Sequence, residues 1–168
     1  MNNLYAFGLG GSLPGTNIEL HDIQFVVAQS PEQAQDIIKL HWYGASLHLD
    51  EYKQITGADG HRIELAPAGF TAPAGSMALF FVTMGGYSSE QFGELHEYRL
   101  FAAANEQAAK EKAKSVLLPH AAQRHVDTVR DIQSCLLYAD HTPCTLHLVQ
   151  DGLSYDFKPD WSGYLPLY

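Results

Sequence analysis

The sequence carries one ionisable pattern twice. Glu19-Leu20-His21-Asp22 is answered by Glu94-Leu95-His96-Glu97, and His48-Leu49-Asp50 by His125-Val126-Asp127. Imidazole and carboxylate together can hold a metal ion or move a proton near neutral pH. If Glu19, His21, His48 and Asp50 meet, one copy supplies two imidazoles and two carboxylates; Glu94, His96, His125 and Asp127 supply the same in the other. That inventory suits zinc, manganese or iron. No helical His-x3-His pair and no cysteine cluster accompanies it, so the sequence calls for no cofactor beyond a divalent metal on these residues. The competing reading is structural, because polar pairs at the edge of a core mostly serve packing. On it, His21 and His96 are satisfied core histidines that pin a loop, and Glu19 and Glu94 accept bonds from backbone N–H groups there.

Strands would position these groups. Side chains alternate across a strand, so Glu19, His21, Ile23, Phe25 and Val27 share one face, as do Glu94, His96, Tyr98 and Leu100. His48 shares a face with Asp50, and His125 with Asp127.

The repetition is wider than the ionisable residues. Residues 4–34 overlay 79–109 with a constant shift of 75, which sets Gly10-Gly11 on Gly85-Gly86. Leu4, Ala28 and Ala34 fall on Leu79, Ala103 and Ala109. The His-x-Asp echo has a shift of 77, so the second connection is two residues longer. Internal repetition at this period implies duplication of a structural unit. A Pro/Ala/Gly stretch separates the copies. The expected organisation is a first unit at 1–66, a linker at 67–77, a second unit at 78–150 and an aromatic tail at 151–168. Such a tail is costly to leave in water. It either wraps its own domain or serves as a homodimer contact or a cover over a pocket.

Local signals fill in the units. Residues 4–9 and 19–28 read as strands. Ser30-Pro31-Glu32-Gln33 is a helix start with a capping box, and Ala34, Ile37, Ile38 and Trp42 follow at helical spacing up to Tyr43-Gly44. Residues 48–56 and 61–65 read as a hairpin around Asp59-Gly60. In the second copy, 78–83, 95–103, 132–138 and 145–149 read as strands, with an Asn105-capped helix running to Leu118. The predicted fold is α+β: two tandem ββαββ units, mainly antiparallel sheet with helices packed on it.

The order Leu9-Gly10-Gly11, a Pro/Gly loop, residues 17–27, a capped helix with Trp42 and then His48-Leu49-Asp50 resembles the bacterial family named domain of unknown function 1543. The resemblance covers 4–65 well and 78–149 more loosely, and it implies a duplicated fold unit without implying a reaction. The second copy lacks the Pro/Gly loop and the Trp, so a site needing them would exist once. Counting the strand at 78–83 with the first unit, the order strand, helix, three strands is also similar to the glyoxalase/bleomycin-resistance fold, which pairs such units around a His/Glu metal.

The totals narrow the partners. The net charge is -9 and the sequence pI about 5.3. Lys110, Lys112 and Lys114 are interleaved with Glu106 and Glu111, as on a solvated helix face. Nucleic acid and membrane are therefore excluded as expected partners, and no apolar run approaches the roughly 18 residues of a membrane helix. The two cysteines make no disulfide framework, and the start of the chain lacks a basic, apolar leader, which points to the cytoplasm. Gly8-Leu9-Gly10-Gly11 precedes a turn-like stretch rather than a helix, so a phosphate loop is disfavoured and the glycines read as a turn or bulge. Ser12 has no nucleophile motif behind it. His41, His61, His120, His141 and His147 have no counterparts and read as surface or structural. Without a catalytic motif, the leading expectation is a non-catalytic ligand- or protein-binding module. The alternative is a small metal- or acid/base-dependent enzyme built on the repeated residues.

Overall fold

A strand with apolar residues on both faces must be covered on both. The first strand, β1 (Asn3–Gly11), is of this kind. Tyr5, Phe7 and Leu9 point to one core, and Leu4 and Ala6 to another. The first core is closed by Ala34, Ile37 and Ile38 of the helix α1 (Pro31–His41). Its N-cap Ser30 accepts from the Gln33 N–H, and Gln33 reaches back to the Gln29 N–H, so the expected capping box forms with its return bond one residue earlier. The strands β2 (Leu20–Ala28) and β3 (His48–Ile55) flank β1 antiparallel on either side.

The second half repeats this plan. β6 (Ala78–Tyr87) is flanked by β7 (Leu95–Ala103) and β8 (Ala122–Asp131), and α2 (Glu106–Val116) packs Ala109 and Ala113 on its outer face. The registers agree: Gly10 pairs with His21 as Gly85 pairs with His96. Leu4, Ala6, Phe25 and Val27 meet Leu79, Phe81, Leu100 and Ala102 in one central core, with Phe25 and Phe81 in edge-to-face contact at 5.3 Å. The layers therefore run helix, sheet, sheet, helix. The computed structural model describes residues 1–139 and 142–167, and among them it is a mixed α+β protein of two helices and eleven strands, with mainly antiparallel sheets.

Several expectations are corrected. The hairpin turn at Asp59-Gly60 forms and the Ile63 N–H donates to the Thr56 carbonyl at 2.8 Å, but 61–65 does not pair along 48–55. Only β4 (Gly57–Ala58) pairs with β5 (His61–Pro67), and β5 takes its long partner, β10 (Cys144–Gln150), from the other half. This crossing strand also overturns the glyoxalase-like grouping, because β3, β5 and β6 lie in three different sheets. Residues 132–138 are not one strand. Ile132–Cys135 form a 3-10 turn with Ile132 fully buried, and β9 (Leu137–Tyr138) joins β2 in parallel. The strand of that unit is the polar β8, whose largely exposed face hides the apolar alternation a sequence reading needs. The strand ending in Gly10-Gly11 runs through both glycines without a turn, although the ladder shifts between Gly8 and Leu9.

The tail returns to the first half. β11 (Trp161–Pro166) pairs with β3, and its ladder is interrupted between Ser162 and Leu165. Asp160 anchors it by accepting from the Gln54 N–H at 2.7 Å and from Lys53 at 3.0 Å. Among the described residues, no helix is long and apolar enough to cross a membrane.

Candidate metal centres

The central strand of each sheet sets the geometry. Gly10 is paired on one side with His21 of β2 and on the other with His48 of β3. Gly85 is paired with His96 of β7 and His125 of β8. A glycine between two histidines leaves a gap that the imidazoles and their neighbours fill. A Cβ on Gly10 would land on His48 Nε2 and lie 3.1 Å from Asp50 Oδ2. A Cβ on Gly85 would lie 2.5 Å from Glu94 Oε1 and 2.9 Å from both His125 Nε2 and Asp127 Oδ1. Close approach is the reason for these glycines, and neither has positive φ.

All eight residues fall into two clusters. In the first, His48 Nε2 lies 3.2 Å from Asp50 and 3.7 Å from Glu19, and His21 Nε2 lies 3.6 Å from Asp50. Donor atoms of Glu19, His21 and His48 all lie within 4.8 Å of one another. In the second, His125 Nε2 lies 3.0 Å from both Glu94 and Asp127. His96 Nε2 reaches Glu94 at 3.5 Å and Asp127 at 3.7 Å, and donor atoms of Glu94, His125 and Asp127 fall within 4.8 Å. Two donors about 2.1 Å from one ion stand about 3.0 Å apart at right angles and about 3.4 Å apart at tetrahedral angles. The observed separations span those values.

The second cluster holds its histidine in a fixed orientation. The Gln123 carbonyl lies 3.0 Å from His125 Nδ1 and can only accept, so Nδ1 carries the proton. In the neutral ring Nε2 is then a bare lone pair, aimed at two carboxylate oxygens. Glu94 Oε1 is buried and receives no hydrogen bond of usable geometry, although Nε2 is 3.0 Å away. Acceptors facing acceptors need a cation between them, either a proton or a metal. The Gln123 carbonyl raises the His125 pKa above its ordinary value; burial opposes this, and Asp127 and Glu94 add to it. A carbonyl held on the far ring nitrogen is also how a metal-binding histidine is commonly oriented.

His21 and His96 are not core histidines, because their side chains are 60% and 51% exposed. The buried one is His48. Two tyrosines were not foreseen beside the clusters. The Tyr164 ring lies 4.5 Å from the His48 ring, and the Tyr87 ring 6.2 Å from that of His125, nearly parallel. The Glu94 charge holds the Tyr87 phenol above its ordinary pKa. The aromatic tail signalled Tyr164 only in outline; Tyr87 follows the second Gly-Gly, but its counterpart is Ser12, so repetition could not flag it.

Ser12, just before the Pro/Gly loop, and Trp42 serve placement. Ser12 N–H donates to Ser46 Oγ at 2.9 Å, Ala45 N–H to the Ser12 carbonyl at 2.8 Å, and Trp42 Nε1 to the Ser46 carbonyl at 2.5 Å. That clamp fixes the segment leading into His48. His41, His61, His120 and His147 lie outside both clusters; His141 lies outside the described residues.

A duplicated α+β unit with a His/carboxylate cluster on the inner face of each sheet defines the class of protein. The family model for Domain of Unknown Function (DUF1543) matches residues 16–65 and 91–142, and the chain belongs to that family. It is similar to a crystal structure of protein Il1583 from Idiomarina loihiensis, with 30% identity and a TM-score of 0.69 over 100% of this chain and 99% of that one. No curated protein matches it.

Proposed function

We propose that the protein is a metal-dependent binding module of two ββαββ units, each holding one divalent transition-metal ion. The first ion would sit among Glu19, His21, His48 and Asp50, and the second among Glu94, His96, His125 and Asp127. The observation that carries this reading is the convergence of His125 Nε2, Glu94 and Asp127, with Nε2 3.0 Å from each carboxylate and all three donors within 4.8 Å. Repetition of the donor set across the same glycine register supports it. Mixed imidazole and carboxylate donors favour zinc, manganese or iron over calcium or magnesium.

The second reading, a metal- or acid/base-dependent enzyme on the same residues, is favoured by the exposure of His21 and His96. A half-exposed imidazole beside carboxylates can pass a proton to a bound molecule.

The test is elemental analysis of untagged protein, with melting curves before and after added Zn²⁺ or Mn²⁺. Two equivalents of metal and a melting temperature that rises with free metal are expected. Protein that binds no metal and melts unchanged would exclude both ions.

A further inference from the structure

The two clusters open onto one space. A cleft of about 360 Å³ between the inner faces of the sheets is lined by His21 and Asp50 of the first cluster, by His96 of the second, and by Ile23, Phe81 and Tyr98. At about 30 Å³ per water molecule it holds on the order of a dozen non-hydrogen atoms. Its middle is apolar and aromatic, with the Phe81 and Tyr98 rings 5.5 Å apart. Tyr98 spends its hydroxyl on Glu51, at 3.4 Å.

The loops entering the two cluster-bearing strands each carry an exposed apolar side chain. Ile18, directly before Glu19, is 81% exposed, and Phe92, two residues before Glu94, is fully exposed. Large apolar side chains left in water gain by covering something apolar.

We propose that this cleft takes one small dianion with a flat apolar body, its oxyanion ends directed to the two metal centres. The proposal rests on the metal reading, because Asp22, Asp50 and Glu51 also line the cleft and would repel an anion if no cations were present. One molecule can meet both clusters because His21, Asp50 and His96 line the same space. Each end fills a coordination position that the protein leaves to solvent, and the ring lies against Phe81 and Tyr98.

Benzene-1,4-dicarboxylate is a suitable probe, with benzoate as the one-ended control. Calorimetric titration of the full chain loaded with zinc should give one dicarboxylate per chain, bound at least about tenfold more tightly than benzoate, since linked ends act at high effective concentration. His96→Ala should reduce the dicarboxylate to the benzoate level. Thr83→Trp should fill the cleft and weaken binding by about tenfold or more while elemental analysis still finds two zinc ions; Thr83→Leu replaces it if the larger ring prevents folding. Two zinc ions bound with two probe molecules per chain, with no preference over benzoate, or with indifference to the filled cleft, would overturn the shared cleft and leave the metal reading standing. Absence of bound zinc would overturn both.

Discussion

The two clusters have the same donors in the same register, yet one buries a histidine that the other leaves half-exposed. The His48 side chain is 4% exposed and that of His125 is 46% exposed. The cause is the tail. β11 lies along β3, and where its ladder breaks between Ser162 and Leu165, Tyr164 is set against His48. Among the described residues β8 has no such neighbour, since it ends its sheet. Its histidine is met instead by Tyr87 from the central strand. Duplication thus preserved the donors, while the surroundings diverged. A buried imidazole is held more rigidly by its packing than a half-exposed one, so the two sites should differ in how fast they release a metal.

Removing the histidines should expose this difference most strongly. His48→Ala empties a buried position under Tyr164 and should cost about 2–3 kcal/mol in chemical denaturation. His125→Ala removes a half-exposed ring and should cost about 0.5 kcal/mol or less. Both should lower the metal content from two equivalents to one. Equal stability losses would show that the tail does not distinguish the sites.

The glycines sharpen the contrast with a single carbon. Gly10→Ala drives a methyl group into His48, which has no room to retreat, and should cost about 2–3 kcal/mol with loss of the first metal. Gly85→Ala meets Glu94, Asp127 and His125, whose side chains can swing toward solvent. It should cost about 1 kcal/mol, with weakened rather than abolished binding at the second site.

What the sequence could and could not disclose divides along the same lines. The donor residues of each cluster were legible in features written locally, the Glu-x-His step and the His-x-Asp step, each repeated at a near-constant shift; the pairing of each glycine with two histidines was not, because it depends on strand order. The partner of β5 was not legible, because strand pairing across some eighty residues leaves no mark in either strand. β8 was foreseen only at His125 and Asp127, and its extent escaped notice because an exposed edge strand such as Arg124-His125-Val126-Asp127 need not alternate cleanly. The apolar run from Ile132 was misread for the opposite reason: it is buried as a turn. Tyr164 was anticipated only as part of a tail needing cover, since which half receives the tail depends on the free edge of β3.

Tyr164→Ala should have an effect no larger than the milder glycine change. The ring contact with His48 is worth about 1 kcal/mol. Its loss should speed removal of the first metal by a chelator, leaving the second unchanged. A chelation trace whose two phases already coincide in the wild type would break the comparison.

The smallest effect belongs to the anchor of the tail. Partial burial pushes the Asp160 carboxyl up, but the Gln54 N–H and the Lys53 ammonium outweigh it and hold the group below its ordinary pKa. A carboxyl depressed in the folded state contributes stability that is complete above the ordinary carboxylate value and lost as pH falls through the folded one. β11 should therefore stay docked at neutral pH and loosen from β3 only in acid, below the usual carboxylate range. Because Asp160 is well exposed, solvent screens this contribution and keeps it minor. In a Trp42→Phe background, Trp161 fluorescence should change across that acid window before the core melts. Asp160→Asn should abolish the change and leave the strand looser at every pH. If Trp161 instead reports only global unfolding, the tail is part of the core, and the burial of His48 does not depend on Asp160.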